Sequence, residues 1–196
     1  MDDLTRLAHA ARRAVPGSLD AFIRACQEPV WRLCEALVDA QAADDLTQET
    51  FIKAVGAIRR FRGDASARTW ILSIARHTCM DELRSRDRNR RRAVALTAIA
   101  ADSRALPDPG DEVSARDLLG HLDVDRRCAF TLTQLLGLTY EEAAETCGCP
   151  IGTIRSRVAR ARSDLIDLLA GTIPLAEGYG ATGEQAGSPH DREPLH

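Results

Sequence analysis

A chain of 196 residues with 28% charged and only 4% aromatic side chains has room for one domain or two small ones, either able to bury a helical core. Alanine, leucine and arginine dominate and no alternation of Val, Ile or Thr recurs, which excludes a β-rich fold and predicts an all-α protein. No apolar run nears the ~18 residues of a membrane span, and Asp2 and Asp3 replace the positive start of a signal peptide, so the expectation is a soluble, cytoplasmic protein with no membrane contact.

The formal charge of −3 argues against a nucleic-acid binder until its distribution is followed. The last 25 residues hold Glu177, Glu184, Asp191 and Glu193 against Arg192, which leaves the rest of the chain neutral. Within it lie an acidic patch at 44–49, an arginine run at 84–92 and a basic segment at 155–162, and such local patches decide contacts. The cysteines Cys26, Cys34, Cys79, Cys128, Cys147 and Cys149 contain no C-x-x-C pair, and Cys147-Gly148-Cys149 lacks a matching second half. Reduced, buried thiols are therefore expected, with no metal and no cofactor.

In chain order, residues 1–17 read as an N-terminal extension, and helical patterning then runs from Ser18 to Arg92. Leu19, Phe22, Ile23, Cys26, Val30, Leu33, Cys34 and Leu37 make the apolar side of a first long helix. A second helix is predicted from about Ala42 to about Arg60. At ~100° per residue, Ala43, Leu46, Thr50, Phe51, Ala54 and Ile58 form its inward arc. Asp44, Asp45, Gln48 and Glu49 are left outward around Ile52, an acidic rim about one apolar side chain, which suits docking on a protein. Stabilisation of a helix start by acids, worth ~0.3–1 kcal/mol, accounts for Asp44 and Asp45 but not for Ile52. These carboxylates lack a cleft and a convergent histidine, so no catalysis is expected of them.

The loop Phe61, Arg62, Gly63, Asp64, Ala65 and Ser66 leads into a third helix, about Ala67 to Arg86, expected to bury Trp70, Ile71, Ile74 and Leu83. Arg84, Arg86, Arg88, Arg90, Arg91 and Arg92, with only Asp87 among them, suit contact with phosphates. Residues 93–113 turn alanine-rich and then read LPDPGDE, where prolines and glycine oppose a helix; a flexible linker is predicted. Helical pattern resumes at about Ser114 with Leu118, Leu119 and Leu122, then from Arg126 to Leu136, with Gly137 as a stop. The stretch beyond Gly171 is rich in glycine and proline and is expected to be a disordered tail.

Leu138 to Arg162 predicts a helix-turn-helix, at about 139–163. Thr139 and Glu142 have capping-box spacing, Gly148 sits where a helix ends in a left-handed residue, and Pro150 suits the first turn of the next helix. Ile151, Ile154, Val158, Ala161 and Leu165 form the stripe that packs on the first helix. Arg155, Ser156, Ala159 and Arg160 share the exposed arc, with Arg157 and Arg162 at its edges and no acid before Asp164. An arginine fork takes guanine O6 and N7 or a phosphate, and small residues between arginines allow close approach to base edges. A merely solvated face mixes charge signs at i,i+4 spacing, which this one does not.

DDLTQETF at 44–51, FRGDASARTWILSIARH at 61–77 and LTYEEAAETCGCPIGTIRSRVARAR at 138–162, in that order, resemble bacterial sigma factors of the extracytoplasmic-function group. DDLTQETF, LTQLLGL and CGCPIGTIRSRVARAR are most similar to the actinobacterial sigma factor C type. The resemblance covers about residues 18–168. It implies two small helical domains, region 2 at 18–92 and region 4 at 114–171, and a non-enzymatic protein that directs RNA polymerase to promoters. By the same resemblance Asp44, Asp45, Gln48, Glu49 and Ile52 dock on the β′ clamp helices of core RNA polymerase, whose β flap is a further contact. Phe61, Arg62, Gly63, Asp64, Ser66, Arg68, Trp70 and Arg76 belong to capture of the −10 element, although a tryptophan in an amphipathic helix is more often core. Thr153, Arg155, Ser156, Arg157, Ala159, Arg160 and Arg162 face the −35 element or its phosphates. An anti-sigma factor is a further partner the resemblance allows. The 93–113 segment spans at most ~70 Å against roughly 50 Å for one and a half turns of duplex, so both elements are within reach. A stand-alone helix-turn-helix regulator would not need the Ile52 face, and a pure adaptor would not need the arginine arc.

Overall fold

The computed structural model describes residues 2–96 and 115–171. Most of the expected linker and the expected tail lie outside the described residues. Every regular element among the described residues is helical, and no helix there is long and apolar enough to cross a membrane.

The chain begins with a helix that patterning did not reveal, α1 (Asp3–Arg12). Asp2 caps it, accepting from the Thr5 N–H at 2.8 Å and the Thr5 hydroxyl at 2.7 Å. Thr5 in turn accepts from the Ala67 N–H at 2.9 Å, and Ala8 and Ala11 are buried. Residues 1–17 are thus built into the first unit rather than appended to it. Gly17 (φ +74°) makes the left-handed entry into α2 (Ser18–Leu37), whose Phe22, Cys26, Val30, Leu33, Cys34 and Leu37 are buried.

Helix α3 (Ala40–Ala57) is capped by Asp39, which accepts from the Ala42 N–H at 2.8 Å. It closes in a 3-10 turn, Ile58–Arg60. Helix α4 (Ala67–Leu96) runs ten residues past the expected end at Arg86 and through the first four residues of the expected linker. Side-chain pairs one turn apart account for part of this extension: Arg84 with Asp81 at 2.7 Å, Arg86 with Glu82 at 2.6 Å and Arg91 with Asp87 at 2.8 Å. Three members of the arginine run are therefore already paired along their own helix.

The second unit holds α5 (Ala115–Gly120), α6 (Val124–Phe130), a π turn over Thr131–Leu135, α7 (Tyr140–Cys147) and α8 (Ile151–Leu169). Asp123 caps α6, which starts two residues before the expected Arg126. The capping box at α7 is complete: Thr139 N–H donates to Glu142 Oε2 at 2.8 Å, and Glu142 N–H to Thr139 Oγ1 at 3.1 Å. Gly148 ends α7 at φ +63°, and Pro150 stands one residue before α8.

The two units share one buried core. Cys26, Val30 and Ile71 of the first unit belong to the same apolar cluster as Cys128, Leu132, Ala143 and Ile154 of the second. Helix α7 lies against α4, and α6 against α2.

Candidate nucleic-acid and polymerase interfaces

Three surfaces carry the residues picked out from the sequence. On α3, Leu46, Thr47, Thr50 and Ala54 are buried, which turns Asp44, Asp45, Gln48 and Glu49 outward. Ile52 is 73% exposed in their midst. Trp31 Nε1 donates to Asp44 at 2.8 Å, and Glu49 pairs with Lys53 at 2.8 Å. These contacts hold the rim's two flanks, while Asp45, Gln48 and Ile52 face outward between them. One turn on, Val55 is also exposed and extends the apolar centre. Its i+3 spacing from Ile52 was a signal that sequence reasoning missed, whereas Trp31's contact, thirteen residues upstream of Asp44, left no local sign.

The second surface is the loop before α4. Phe61, assigned to the −10 group, is only 3% exposed and sits in a cluster of rings, 5.1 Å from His9 and 5.2 Å from Trp70 between centroids. Trp70 is half-buried and also packs on Phe22 at 6.3 Å. Both rings belong to the core, because burying an aromatic between three helices outweighs presenting it to water. The loop tip is different. Arg62, Gly63 and Asp64 are exposed, Arg62 pairs with Asp64 at 2.9 Å, and Ser66 accepts from the Thr69 N–H at 3.1 Å at the start of α4. A Cβ at Gly63 (φ +81°) would lie 2.7 Å from His9 Nε2, so a side chain there would strain the backbone and push the His9 ring aside.

Further along α4, Arg68 and Arg76 turn toward the second unit. Arg68 donates to the Leu136 carbonyl. The Arg76 side chain is 15% exposed and stands 3.6 Å from Asp125. Burial opposes its charge, but Cys128, Cys147 and Asp125 more than offset this and hold its pKa above the ordinary arginine value. The loop tip and these two arginines are therefore not presented together in this arrangement.

The third surface is α8. Ile154, Val158 and Ala161 are buried, and Arg155, Ser156, Ala159, Arg160 and Arg162 are exposed. Asp164, the first acid on the helix, turns aside to meet Arg126 at 2.7 Å, which leaves the exposed arc basic. Arg162 donates to Gln134 at 2.7 Å, and Thr153 is half-buried with its carbonyl accepting from the Ser156 hydroxyl at 2.9 Å. Arg157 departs from its expected place at the edge of the arc. Its side chain is 23% exposed and reaches Asp125 at 2.5 Å, because the first turn of α6 brings that carboxylate between α8 and α4. Sequence reasoning missed Asp125, whose partners lie 49 residues before it and 32 after.

Residues 22–89 match the family model of Sigma-70 region 2, and residues 113–165 that of Sigma-70 region 4. Over 166 residues the chain is 49% identical to the ECF RNA polymerase sigma factor SigC of Mycobacterium tuberculosis (strain CDC 1551 / Oshkosh), covering 83% of this chain and 89% of that protein. The chain belongs to the extracytoplasmic-function sigma factors. The RNA polymerase sigma-H factor of Pseudomonas aeruginosa (strain PAO1) is 33% identical to it over 171 residues, covering 80% and 89% of the two chains. Among solved structures, the sigma factor RpoE of Bartonella quintana in complex with the anti-sigma factor NepR is 30% identical, with a TM-score of 0.62 over 79% of this chain and 98% of that one. CnrH, solved in complex with the cytosolic domain of CnrY, shares the fold at 24% identity and a TM-score of 0.65, over 86% and 99% of the two chains. In this sigma factor α1 precedes the region 2 match, yet it supplies the Thr5 contact to the first residue of α4.

Proposed function

We propose that this sigma factor docks on core RNA polymerase through α3 and reads promoter DNA through the loop before α4 and the exposed arc of α8. The observation that carries the reading is the pairing, in one chain, of an acidic face centred on exposed Ile52 with a helix face whose exposed arginines meet no acid among the described residues. Asp44, Asp45, Gln48, Glu49 and Ile52 form the contact with the β′ clamp helices, the acids steering approach and Ile52 supplying the desolvated centre. Arg155, Ser156, Ala159 and Arg160 face the −35 bases, with Thr153 behind them and Arg162 beside them at the phosphates. Arg62, Gly63, Asp64 and Ser66 take the −10 strand, with Phe61 and Trp70 supporting that loop from within.

Arg68, Arg76 and Arg157 join the DNA contacts once region 2 and region 4 separate. Helix α4 takes up residues 93–96, and the 97–114 segment still spans at most ~60 Å, enough for ~50 Å of duplex. The protein performs no covalent chemistry; nucleotide addition is the polymerase's. It works in the cytoplasm beside that polymerase, and an anti-sigma partner would cover the same faces.

Two variants separate the two halves of the proposal. Asp45→Arg places a cation on the acidic rim and is expected to abolish co-purification with core polymerase while leaving binding of region 4 to −35 duplex unchanged. Arg160→Ala is expected to retain polymerase binding and lose ~1–3 kcal/mol at the −35 site. Promoter-dependent transcription unaffected by either change would overturn the residue assignments.

A further inference from the structure

Four of the six cysteines are buried, and two, Cys147 and Cys149, are only half-buried. Cys147 is the last residue of α7, at the turn of the helix-turn-helix, and its Sγ lies 3.9 Å from that of Cys128 on α6. A disulfide needs ~2.05 Å between sulfurs, so closing this pair asks for movement of less than ~2 Å shared between two side chains. Cys34 and Cys79 are also neighbours, but both are 0% exposed and sealed inside region 2. Only the Cys128–Cys147 pair combines closeness with a residue that is not fully buried.

The surroundings assign different roles to the two thiols. Either sulfur can donate in the contact between fully buried Cys128 and Cys147; that contact and burial push the Cys128 thiol up, and the contact lowers that of Cys147. Burial opposes the lowering at Cys147, and the guanidinium groups of Arg76 and Arg157 add to it.

We propose that Cys128 and Cys147 are a redox modification site that a hydroperoxide closes to a disulfide, with Cys147 attacking and Cys128 resolving. The Cys147 thiolate attacks one peroxide oxygen; an S–O bond forms and the O–O bond breaks. This leaves a sulfenic acid on Cys147 and releases the other oxygen, protonated, as water or an alcohol. The Cys128 sulfur then displaces hydroxide from the Cys147 sulfur, forming the S–S bond, and the Cys128 proton leaves with that hydroxide as water. Two thiols lose two electrons and one peroxide is reduced; a dithiol reverses the bond by exchange. The crosslink ties α6 to the end of α7 across residues 128–147, beside the Arg76 contact between region 2 and region 4.

The test uses the full chain, hydrogen peroxide, and alkylation of the remaining thiols followed by mass spectrometry. Trypsin leaves Cys128, Cys147 and Cys149 on one peptide, 128–155, so cleavage after Glu141, Glu142 and Glu145 is needed to separate Cys128 from the other two. The expected result is a linked pair of peptides holding Cys128 and Cys147, the loss of two of six free thiols, and recovery of all six with dithiothreitol. Cys149→Ser should leave the linkage intact. Cys128→Ser should instead leave a Cys147 sulfenic acid that dimedone traps. A Cys147–Cys149 link, oxidation at Cys34 and Cys79 first, or a wild-type Cys147 that stays a thiol or passes to sulfinic acid would each overturn the proposal.

Discussion

Among the described residues, Asp125 is the one carboxylate that touches both Arg76 of α4 and Arg157 of α8, which makes Asp125→Asn the sharpest probe of how the two regions meet. The substitution keeps the shape of the side chain and removes its charge. The contact to Arg157 is 2.5 Å long with side chains 23% and 38% exposed, and that to Arg76 is 3.6 Å with Arg76 at 15%. At an effective dielectric of ~20, two charges ~4 Å apart attract by about 4 kcal/mol, and desolvation takes back part of this. A hydrogen bond to a charged group is worth ~1.5–3 kcal/mol net, and the longer Arg76 contact adds less. The expected loss is about 2–3 kcal/mol of unfolding free energy, or roughly 5–10 °C in Tm for a chain of this size. Scanning calorimetry and urea unfolding at neutral pH measure it, and a double-mutant cycle with Arg157→Gln should return a coupling larger than the cycle with Arg76→Gln. Asp125→Asn should also raise the affinity of the free protein for single-stranded −10 DNA, because Arg76 is no longer held. A change within ~0.3 kcal/mol, with no coupling to either arginine, would refute the reasoning.

Phe61→Ala should destabilise region 2 by ~3–5 kcal/mol in urea unfolding, the cost of emptying a buried ring site; a fully stable variant that fails only in −10 binding would return Phe61 to the DNA interface. Asp39 provides a pH signature: burial alone would raise its carboxyl, but the bonds from Arg86 and the Ala42 N–H outweigh this and hold it below the usual range. Because the folded pKa is the lower one, its contribution is present above the ordinary value of ~3.9 and is lost as pH falls through the folded pKa. Asp39→Asn should flatten the acid limb of the stability curve below about pH 4, and an unchanged limb would count against the Arg86 contact.

What the sequence made legible was local. Thr139 and Glu142 three residues apart, Gly148 at the left-handed position and the Ile154, Val158, Ala161 stripe fix the helix-turn-helix through interactions within one or two turns. The α3 faces followed from the same periodicity. Helix α1 was missed because it is short and its apolar side is largely alanine, although Asp2 and Thr5 already had the spacing of a cap. The end of α4 was misplaced because ion pairs along the helix carry it past the last core positions. Contacts between the regions were illegible in principle: nothing near Asp125 in the chain signals Arg76 or Arg157, and nothing near Arg68 signals the Leu136 carbonyl. The charges of these arginines were read correctly, while their partners depend on tertiary placement.

Transcription from genomic DNA tests the central claim most directly. Purified core polymerase, free of other sigma factors, is supplied with sheared DNA of the source genome, with and without this protein, and transcript 5′ ends are mapped. The account predicts starts that appear only when the protein is added, each preceded by the same two sequence elements at a fixed separation, and lost with Asp45→Arg. No new starts above core polymerase alone, from a chain that is folded and binds the core, would contradict it.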